Sequence, residues 1–122
     1  MNRKILVVDD DPRNVFALSA VLRSESFTCI TVLSAKEALE ILATDKEIGI
    51  VLMDMMMPEM DGYEALAEIR ANKDTAALPV VAVTAQAMVG DREKCLAAGA
   101  DAYISKPIDT EALLELLITY LK

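Results

Sequence analysis

Short apolar runs alternate along the chain with longer segments in which apolar residues recur at helical spacing. The apolar runs occupy residues 4–8, 27–33, 49–53, 79–84 and 102–104. They are rich in Val and Ile and do not alternate with polar residues, a pattern typical of strands that helices cover on both faces. The sequence therefore predicts five strands in a parallel sheet, each followed by a helix and joined by right-handed crossovers.

Helix boundaries are marked by residues that commonly cap helices. Expected N-caps precede four of the helical segments: Asp11 (before Pro12), Ser34 (with Glu37 as a capping box), Asp61 and Asp109. Gly99 is expected to end the helix that contains Cys95. The last helix is predicted to run to about Leu121.

The composition fits one packed domain over residues 1–122, since 54% of the residues are hydrophobic and 26% are charged. The formal net charge of −8 argues against direct binding to nucleic acid. No apolar run approaches the ~20 residues that cross a membrane, and the first run ends in three aspartates. We therefore expect a cytoplasmic protein without a membrane segment, with Cys29 and Cys95 as buried, reduced thiols.

Several polar side chains lie at or just after the ends of the predicted strands. Because the carboxyl ends of parallel strands meet at one edge of a sheet, these side chains are expected to lie together. They are Asp9 and Asp10 after the first strand, Asp54 after the third, Thr84 ending the fourth, and Ser105, Lys106 and Pro107 after the fifth. The second strand offers only Ser34.

This set of residues is suited to phosphoryl transfer. Carboxylates in close proximity repel one another and favour a bound cation. Because the chain contains no histidine, such a metal must be held by oxygen, which favours Mg²⁺ over Zn²⁺. Asp54 follows a buried apolar run, and a carboxylate is a competent nucleophile toward phosphorus. The Lys106 ammonium and the Thr84 hydroxyl could each take one oxygen of the transferred group.

Four segments contain these residues in order: Ile5-Leu-Val-Val-Asp-Asp-Asp-Pro12, Asp54-Met-Met-Met-Pro-Glu-Met-Asp-Gly62, Val83-Thr-Ala85 and Ser105-Lys-Pro107. Together they resemble the receiver domain of two-component response regulators, and the resemblance covers the whole chain. It implies an α/β fold of the flavodoxin-like, CheY-like type: a five-stranded parallel sheet of order 2-1-3-4-5, flanked by five helices.

The resemblance also implies the metal site and the acceptor. Asp54 would be the phosphoacceptor. Asp9, Asp10, Asp54 and the backbone carbonyl of Met56 would bind Mg²⁺, for which Mn²⁺ can substitute. Asp11 is better explained as an N-cap and is left out of this site.

Further residues are implied to contact the phosphoryl group and relay its presence. Lys106, Thr84 and the backbone N–H groups of Met56 and Ala85 would contact the group. Thr84 and Tyr103 would form a switch pair, although a half-buried strand tyrosine without that role fits the same sequence. Two residues would tune hydrolysis of the phosphorylated form: Met56 and Gln86.

A sensor histidine kinase or a histidine phosphotransfer protein is the partner that the resemblance implies. The output face would comprise the helix after the fourth strand, the fifth strand and the last helix. Apolar residues of that helix cover more than one stripe, which favours a homodimer or an effector there: Leu113, Leu114, Leu116, Leu117, Ile118, Tyr120 and Leu121. The chain would catalyse its own Mg²⁺-dependent phosphorylation and dephosphorylation without being an enzyme for a small substrate.

The residues argue against three other classes of protein. A phosphatase of the haloacid dehalogenase type places its nucleophile after the first strand, whereas this chain has Asp9-Asp10-Asp11-Pro12 there. A flavodoxin would need a phosphate loop at that position, where three aspartates would repel a phosphate. A receiver-like module without phosphorylation would not need the complete site.

The chain could be a free-standing regulator or part of a hybrid sensor kinase. Methionines around Asp54 are interpreted as adaptable packing.

Overall fold

The computed structural model describes residues 3–85 and 89–121. Strands and helices alternate along the chain. The strands are β1 (Lys4–Val8), β2 (Thr28–Val32), β3 (Ile48–Asp54), β4 (Val80–Thr84) and β5 (Ala102–Ser105). The helices are α1 (Pro12–Ser24), α2 (Ala35–Thr44), α3 (Gly62–Ala71), α4 (Asp91–Ala97) and α5 (Thr110–Leu121).

All neighbouring strands pair in parallel, in the order β2-β1-β3-β4-β5. Two apolar clusters cover the two faces of this sheet. One contains buried residues of α1 and α5, and the other contains buried residues of α2, α3 and α4. Every residue of β3 is buried, as expected for the central strand of a sheet packed on both faces. The predicted fold class and strand order are confirmed.

Strand ends differ from the predicted ones by one residue. The apolar run 27–33 predicts that the second strand begins at Phe27, whereas β2 begins at Thr28. The Phe27 N–H donates to the Leu22 carbonyl near the end of α1, so Phe27 belongs to the turn between α1 and β2. Conversely, Asp54 and Ser105 are the last residues of their strands, paired with Val83 and Thr84. Periodicity alone does not locate such terminal pairs.

The predicted helix caps are present, with one difference in geometry. Side chains of four residues accept backbone N–H bonds in the following first turns: Asp11, Ser34, Asp61 and Asp109. Ser34 also donates to the Glu37 carboxylate, whereas the reciprocal capping box occurs at Asp61 with Glu64. Gly99 lies after α4 at φ +115°, as expected for a residue that ends a helix.

The cysteine prediction is half wrong. Cys95 of α4 is fully buried, but Cys29 is partly exposed because β2 is an edge strand of the sheet. Both thiols are free. Across residues 3–85 and 89–121, no helix has both the length and the apolar character needed to cross a membrane.

Arg70 joins three segments at the edge of the sheet opposite the strand carboxyl ends. Its guanidinium donates to the Gly99 carbonyl at 2.8 and 3.0 Å, to the Leu78 carbonyl at 2.6 Å and to the Asp101 carboxylate at 2.8 Å. Asp101 in turn accepts the Val80 N–H at 2.8 Å. The end of α3 is thereby bound to the starts of β4 and β5.

We predict that Arg70→Ala lowers the free energy of unfolding by about 2–4 kcal/mol, because several partly buried carbonyls and a carboxylate lose their donor together. Arg92→Ala, which removes an exposed arginine, should change it by less than about 0.5 kcal/mol. Urea denaturation measures both variants. Equal effects of the two substitutions would show that the Arg70 network adds nothing to stability.

Candidate functional site

The strand carboxyl ends bring the predicted polar residues to one edge of the sheet. Asp54 and Thr84 end the neighbouring strands β3 and β4, and Asp9 and Lys106 directly follow β1 and β5. Asp9, Asp54 and Thr84 are 7%, 5% and 2% exposed, so three polar residues lie within an otherwise apolar surrounding. Asp10 is exposed at the rim.

Lys106 joins two of the carboxylates. Its ammonium donates to Asp9 Oδ2 at 3.0 Å and lies 3.6 Å from Asp54 Oδ2. The second oxygen of each carboxylate accepts a backbone N–H: Asp54 Oδ1 from Met56 at 3.0 Å, and Asp9 Oδ1 from Asp11 at 2.9 Å. Both carboxylates are therefore fixed in orientation before any ligand binds.

The environment of Asp54 opposes its ionisation. Burial is the main cause that raises the pKa of Asp54 to about 6; the negative charges of Asp9 and Asp10 act in the same direction, whereas the Met56 N–H and the Lys106 ammonium act against it. The pKa of Lys106 is raised: burial lowers it, but the hydrogen bond to Asp9 and the attraction of Asp54 outweigh that effect. Lys106 thus stays charged at neutral pH while Asp54 ionises at a cost.

Carboxylate oxygens of Asp9, Asp10 and Asp54 lie within 4.8 Å of one another. Octahedral Mg²⁺ places neighbouring oxygen ligands about 3 Å apart and opposite ones about 4 Å apart, so small side-chain rotations suffice to bind one ion. The donor set consists of hard oxygen atoms, which fits Mg²⁺. Asp11 is engaged elsewhere, since its side chain caps α1 and pairs with Arg13 at 3.2 Å.

Other predicted residues lie at or near the same edge. The Lys106 N–H donates to the Thr84 carbonyl at 2.8 Å, which fixes the loop after β5 against the end of β4. Ala85 directly follows Thr84 and is exposed. Met56 contacts Asp54 through its N–H, while a metal contact of its carbonyl stays a prediction. Gln86 lies outside the described residues.

Gly62 holds the loop between β3 and α3 close behind Asp54. A Cβ at this position would lie 2.6 Å from Met55 Cα and 2.8 Å from the Asp54 carbonyl oxygen, so only glycine allows α3 to begin here. The Asp61 capping box fixes the same turn. Within the loop, Met57 is buried and Met60 is partly buried, in keeping with a packing role, whereas Met56 is 52% exposed.

An apolar cavity of about 230 Å³ opens beside the acidic cluster, between α1 and α5. Its walls include Leu18, Val21 and Leu113, and it reaches Asp54 and Lys106. Asn14 in the first turn of α1 also lines it and was not predicted as a site residue. A polar residue at that helix position is common without a function, so the sequence offered no signal for it.

Tyr103 lies in β5, paired with Ala82 and packed against the apolar cluster that contains Cys95. Its hydroxyl donates to Asp91 Oδ2 at 3.0 Å, at the start of α4. Sequence reasoning selected Tyr103 but missed Asp91. An acidic residue in the first turn of a helix is ordinarily explained by the helix dipole, which hides a specific contact.

Comparison with known proteins gives a consistent result. The family model described as the response regulator receiver domain matches residues 5–118. Over 121 residues the chain is 33% identical to the polar-differentiation response regulator DivK of Brucella ovis, covering 99% of this chain and 98% of that protein. Over 116 residues it is 42% identical to the sensor histidine kinase RcsC of Salmonella typhi, covering 95% of this chain but 12% of that protein.

A solved structure shares the fold throughout. The receiver domain of the sensor histidine kinase PA1611 from Pseudomonas aeruginosa, described with a magnesium ion coordinated in its active site cleft, superposes with a TM-score of 0.89. The two chains are 35% identical, and the match covers 99% of this chain and 98% of that one.

We predict that Asp54→Asn stabilises the metal-free protein at pH 8 by about 1–3 kcal/mol, since Asn keeps the acceptor for the Met56 N–H but carries no charge. The folded pKa of Asp54, about 6, exceeds the reference value of 3.8. Wild-type stability therefore falls relative to the variant as pH rises from about 4 to about 6, and the difference disappears below pH 4.

Urea denaturation in the presence of a chelator, repeated from pH 4 to pH 8, measures this difference. Glu115→Gln, which neutralises an exposed carboxylate on α5, serves as the control. Its free energy of unfolding relative to the wild type should not increase between pH 4 and pH 8. An Asp54→Asn advantage that is absent at pH 8, or equal at both ends of the range, would contradict the electrostatic cost assigned to Asp54.

Proposed function

The chain belongs to the response regulator receiver domain family, a family of phosphoacceptor domains in two-component systems, and we propose that Asp54 is its phosphoacceptor. The single observation that supports this assignment most strongly is the cluster at the sheet edge. There a buried Asp54 lies 3.6 Å from the Lys106 ammonium and within 4.8 Å of the Asp9 and Asp10 carboxylates. We further propose that residues 1–122 act as a single receiver domain.

The reaction is transfer of a phosphoryl group from a phosphohistidine. An oxygen of the Asp54 carboxylate attacks phosphorus, the P–N bond breaks, and the imidazole leaves with the partner. With a pKa of about 6, Asp54 is mostly ionised at neutral pH and can act as the nucleophile. Its fixed orientation, from the Met56 N–H, reduces the reorganisation that the attack requires.

Charge on the transferred group is neutralised by residues of this chain. The Lys106 ammonium is close enough to Asp54 to pair with one phosphoryl oxygen. The Thr84 hydroxyl and the N–H groups of Met56 and Ala85 would bond the others. Met56 and Gln86, each two residues past a site residue, would tune the self-catalysed hydrolysis.

Receiver domains bind Mg²⁺ at an acidic pocket, and here Asp9, Asp10, Asp54 and the Met56 carbonyl would hold it. Bound there, Mg²⁺ or Mn²⁺ would neutralise the carboxylates and one oxygen of the transferring phosphoryl group. Asp9 and Asp54 are already oriented for this role, because one oxygen of each accepts a backbone N–H, from Asp11 at 2.9 Å and from Met56 at 3.0 Å.

Receiver domains exchange phosphoryl groups with histidine kinases or phosphotransfer proteins. We propose such a partner here, in the cytoplasm. Exposed apolar side chains near the carboxyl end of the sheet support a docking surface for it: Phe16 at 75%, Leu33 at 45% and Met56 at 52% exposure. Direct binding to nucleic acid is not part of the proposal, in keeping with the net charge of −8.

The output would leave through the α4-β5-α5 face. A phosphoryl group on Asp54 would draw the Thr84 hydroxyl toward it, and Tyr103 would follow. On α5, Leu113 and Leu117 are buried against the sheet while Ile118 is 49% exposed. This apolar residue supports contact with an effector or with a second copy of the chain.

Incubation with acetyl phosphate and Mg²⁺, followed by intact mass measurement, tests the phosphoacceptor assignment. We predict that the wild type gains a single phosphoryl group that is acid-stable and base-labile, and that chelation of Mg²⁺ prevents the gain. Asp54→Asn should gain none, and Lys106→Ala should react at least about tenfold more slowly, because one ammonium is lost from the transition state. Modification of Asp54→Asn, or reaction without a divalent cation, would refute the assignment.

Sedimentation velocity over a range of concentrations tests the output face. We predict that phosphorylated protein self-associates more than unphosphorylated protein, and that Ile118→Asp removes this association while leaving Asp54 phosphorylation intact. Lys36→Asp, an exposed charge reversal on α2, is the control and should leave association unchanged. A wild type that stays monomeric in both states would exclude the homodimer.

A further inference from the structure

Asp91 contacts the one residue of β5 that the proposed function assigns to the switch. The Tyr103 hydroxyl donates to Asp91 Oδ2 at 3.0 Å and thereby joins β5 to the start of α4. Both residues are partly buried, so water competes less for this bond than at the open surface. Burial, together with this hydrogen bond, raises the pKa of Tyr103.

Asp91 is not occupied in capping its own helix. The N-cap of α4 is Gly90, in the left-handed region at φ +87°, and no side chain makes a cap bond there. A carboxylate in the first turn of a helix can bond to the free N–H groups of that turn, but Asp91 Oδ2 accepts from Tyr103 instead. The carboxylate therefore links α4 to β5.

Within residues 3–85 and 89–121, α4 has few other side-chain attachments to the rest of the molecule. Cys95 is the one buried residue between Asp91 and Ala97, and its Sγ lies 3.5 Å from the Tyr63 hydroxyl of α3. The Lys94 ammonium lies 4.8 Å from the centre of the Tyr63 ring. Apart from the packing of Cys95, α4 is thus held by two tyrosines, Tyr63 of α3 and Tyr103 of β5. Of these two, Tyr103 lies on the strand that pairs with β4.

We propose that Asp91 is a positioning residue: it binds the Tyr103 hydroxyl of β5 to the start of α4 and thereby slows phosphorylation of Asp54. The inference rests on the proposed function, because it takes Tyr103 and Thr84 as the switch pair. In this proposal, movement of Tyr103 toward Thr84 requires that its 3.0 Å bond to Asp91 break. The state in which this bond is broken is therefore a minor state of the unphosphorylated protein. If only that state is competent for phosphorylation, the observed rate is proportional to its population.

The measurement is the rate of phosphorylation by acetyl phosphate and Mg²⁺, followed by intact mass. Asp91→Ala should react about tenfold faster than the wild type, since one hydrogen bond to a charged group no longer opposes the change. Asp91→Asn, a weaker acceptor, should give a smaller increase. Glu93→Ala removes another acidic residue from the first turn of α4 and should leave the rate unchanged.

A double-mutant cycle separates restraint of Tyr103 from general loosening of α4. Tyr103→Phe removes the hydroxyl and should raise the rate, as Asp91→Ala does, and the double variant should be no faster than the faster of the two single variants. Urea midpoints for all variants establish that each is folded. Asp91→Asn keeps the side-chain volume, so it remains informative if Asp91→Ala unfolds.

The outcomes distinguish the two levels of the proposal. A wild type that is phosphorylated on Asp54 at the same rate as Asp91→Ala and Asp91→Asn would overturn the role of Asp91 and leave the proposed function standing. Additive rate increases from Asp91→Ala and Tyr103→Phe would also overturn it. Failure of every variant and the wild type to become phosphorylated would overturn both.

Discussion

Burial and mutual repulsion of carboxylates beside a single ammonium govern the chemistry of this molecule. Asp9, Asp10 and Asp54 carry three formal negative charges and Lys106 one positive charge, which leaves a net charge of −2 at one edge of the sheet. Burial and this repulsion raise the pKa of Asp54 to about 6. A divalent cation and a phosphoryl group bring the compensating charge and the extra hydrogen-bond acceptors. The same cluster that is costly in the free protein is therefore suited to bind both.

The fold compensates for this cost by packing around the cluster. Asp54 ends a strand that is buried along its whole length, and Gly62 allows α3 to begin in direct contact with the strand's end. Far from the site, Arg70 binds α3 to the starts of the neighbouring strands β4 and β5. Hydrophobic burial on both faces of the sheet stabilises the fold and offsets the electrostatic cost of the charged edge. α4 differs from this frame, since among the described residues it is attached mainly through Cys95 and two tyrosines.

Structural features that are set by residues close together in the chain could be predicted from the sequence, whereas contacts between distant residues could not. Strand ends follow from the β–α alternation, and that topology alone brings Asp9, Asp54, Thr84 and Lys106 to one edge. Helix caps follow from neighbouring residues, although the reciprocal box lies at Asp61 rather than at Ser34. Contacts between distant side chains were not predictable: Arg70 with Gly99 and Tyr103 with Asp91 depend on how helices lie on the sheet. The partial exposure of Cys29 follows from the edge position of β2, which came only from the family resemblance.

Reduction with borohydride tests most directly which carboxylate receives the phosphoryl group. It converts an acyl phosphate to an alcohol at the modified side chain, and peptide mass mapping then locates the change. After treatment with acetyl phosphate and Mg²⁺, we predict a single reduction product, in the peptide that carries Asp54. A product at Asp9 or Asp10, or no reducible product in a protein that has gained a phosphoryl group, would contradict the assignment of Asp54 as the acceptor.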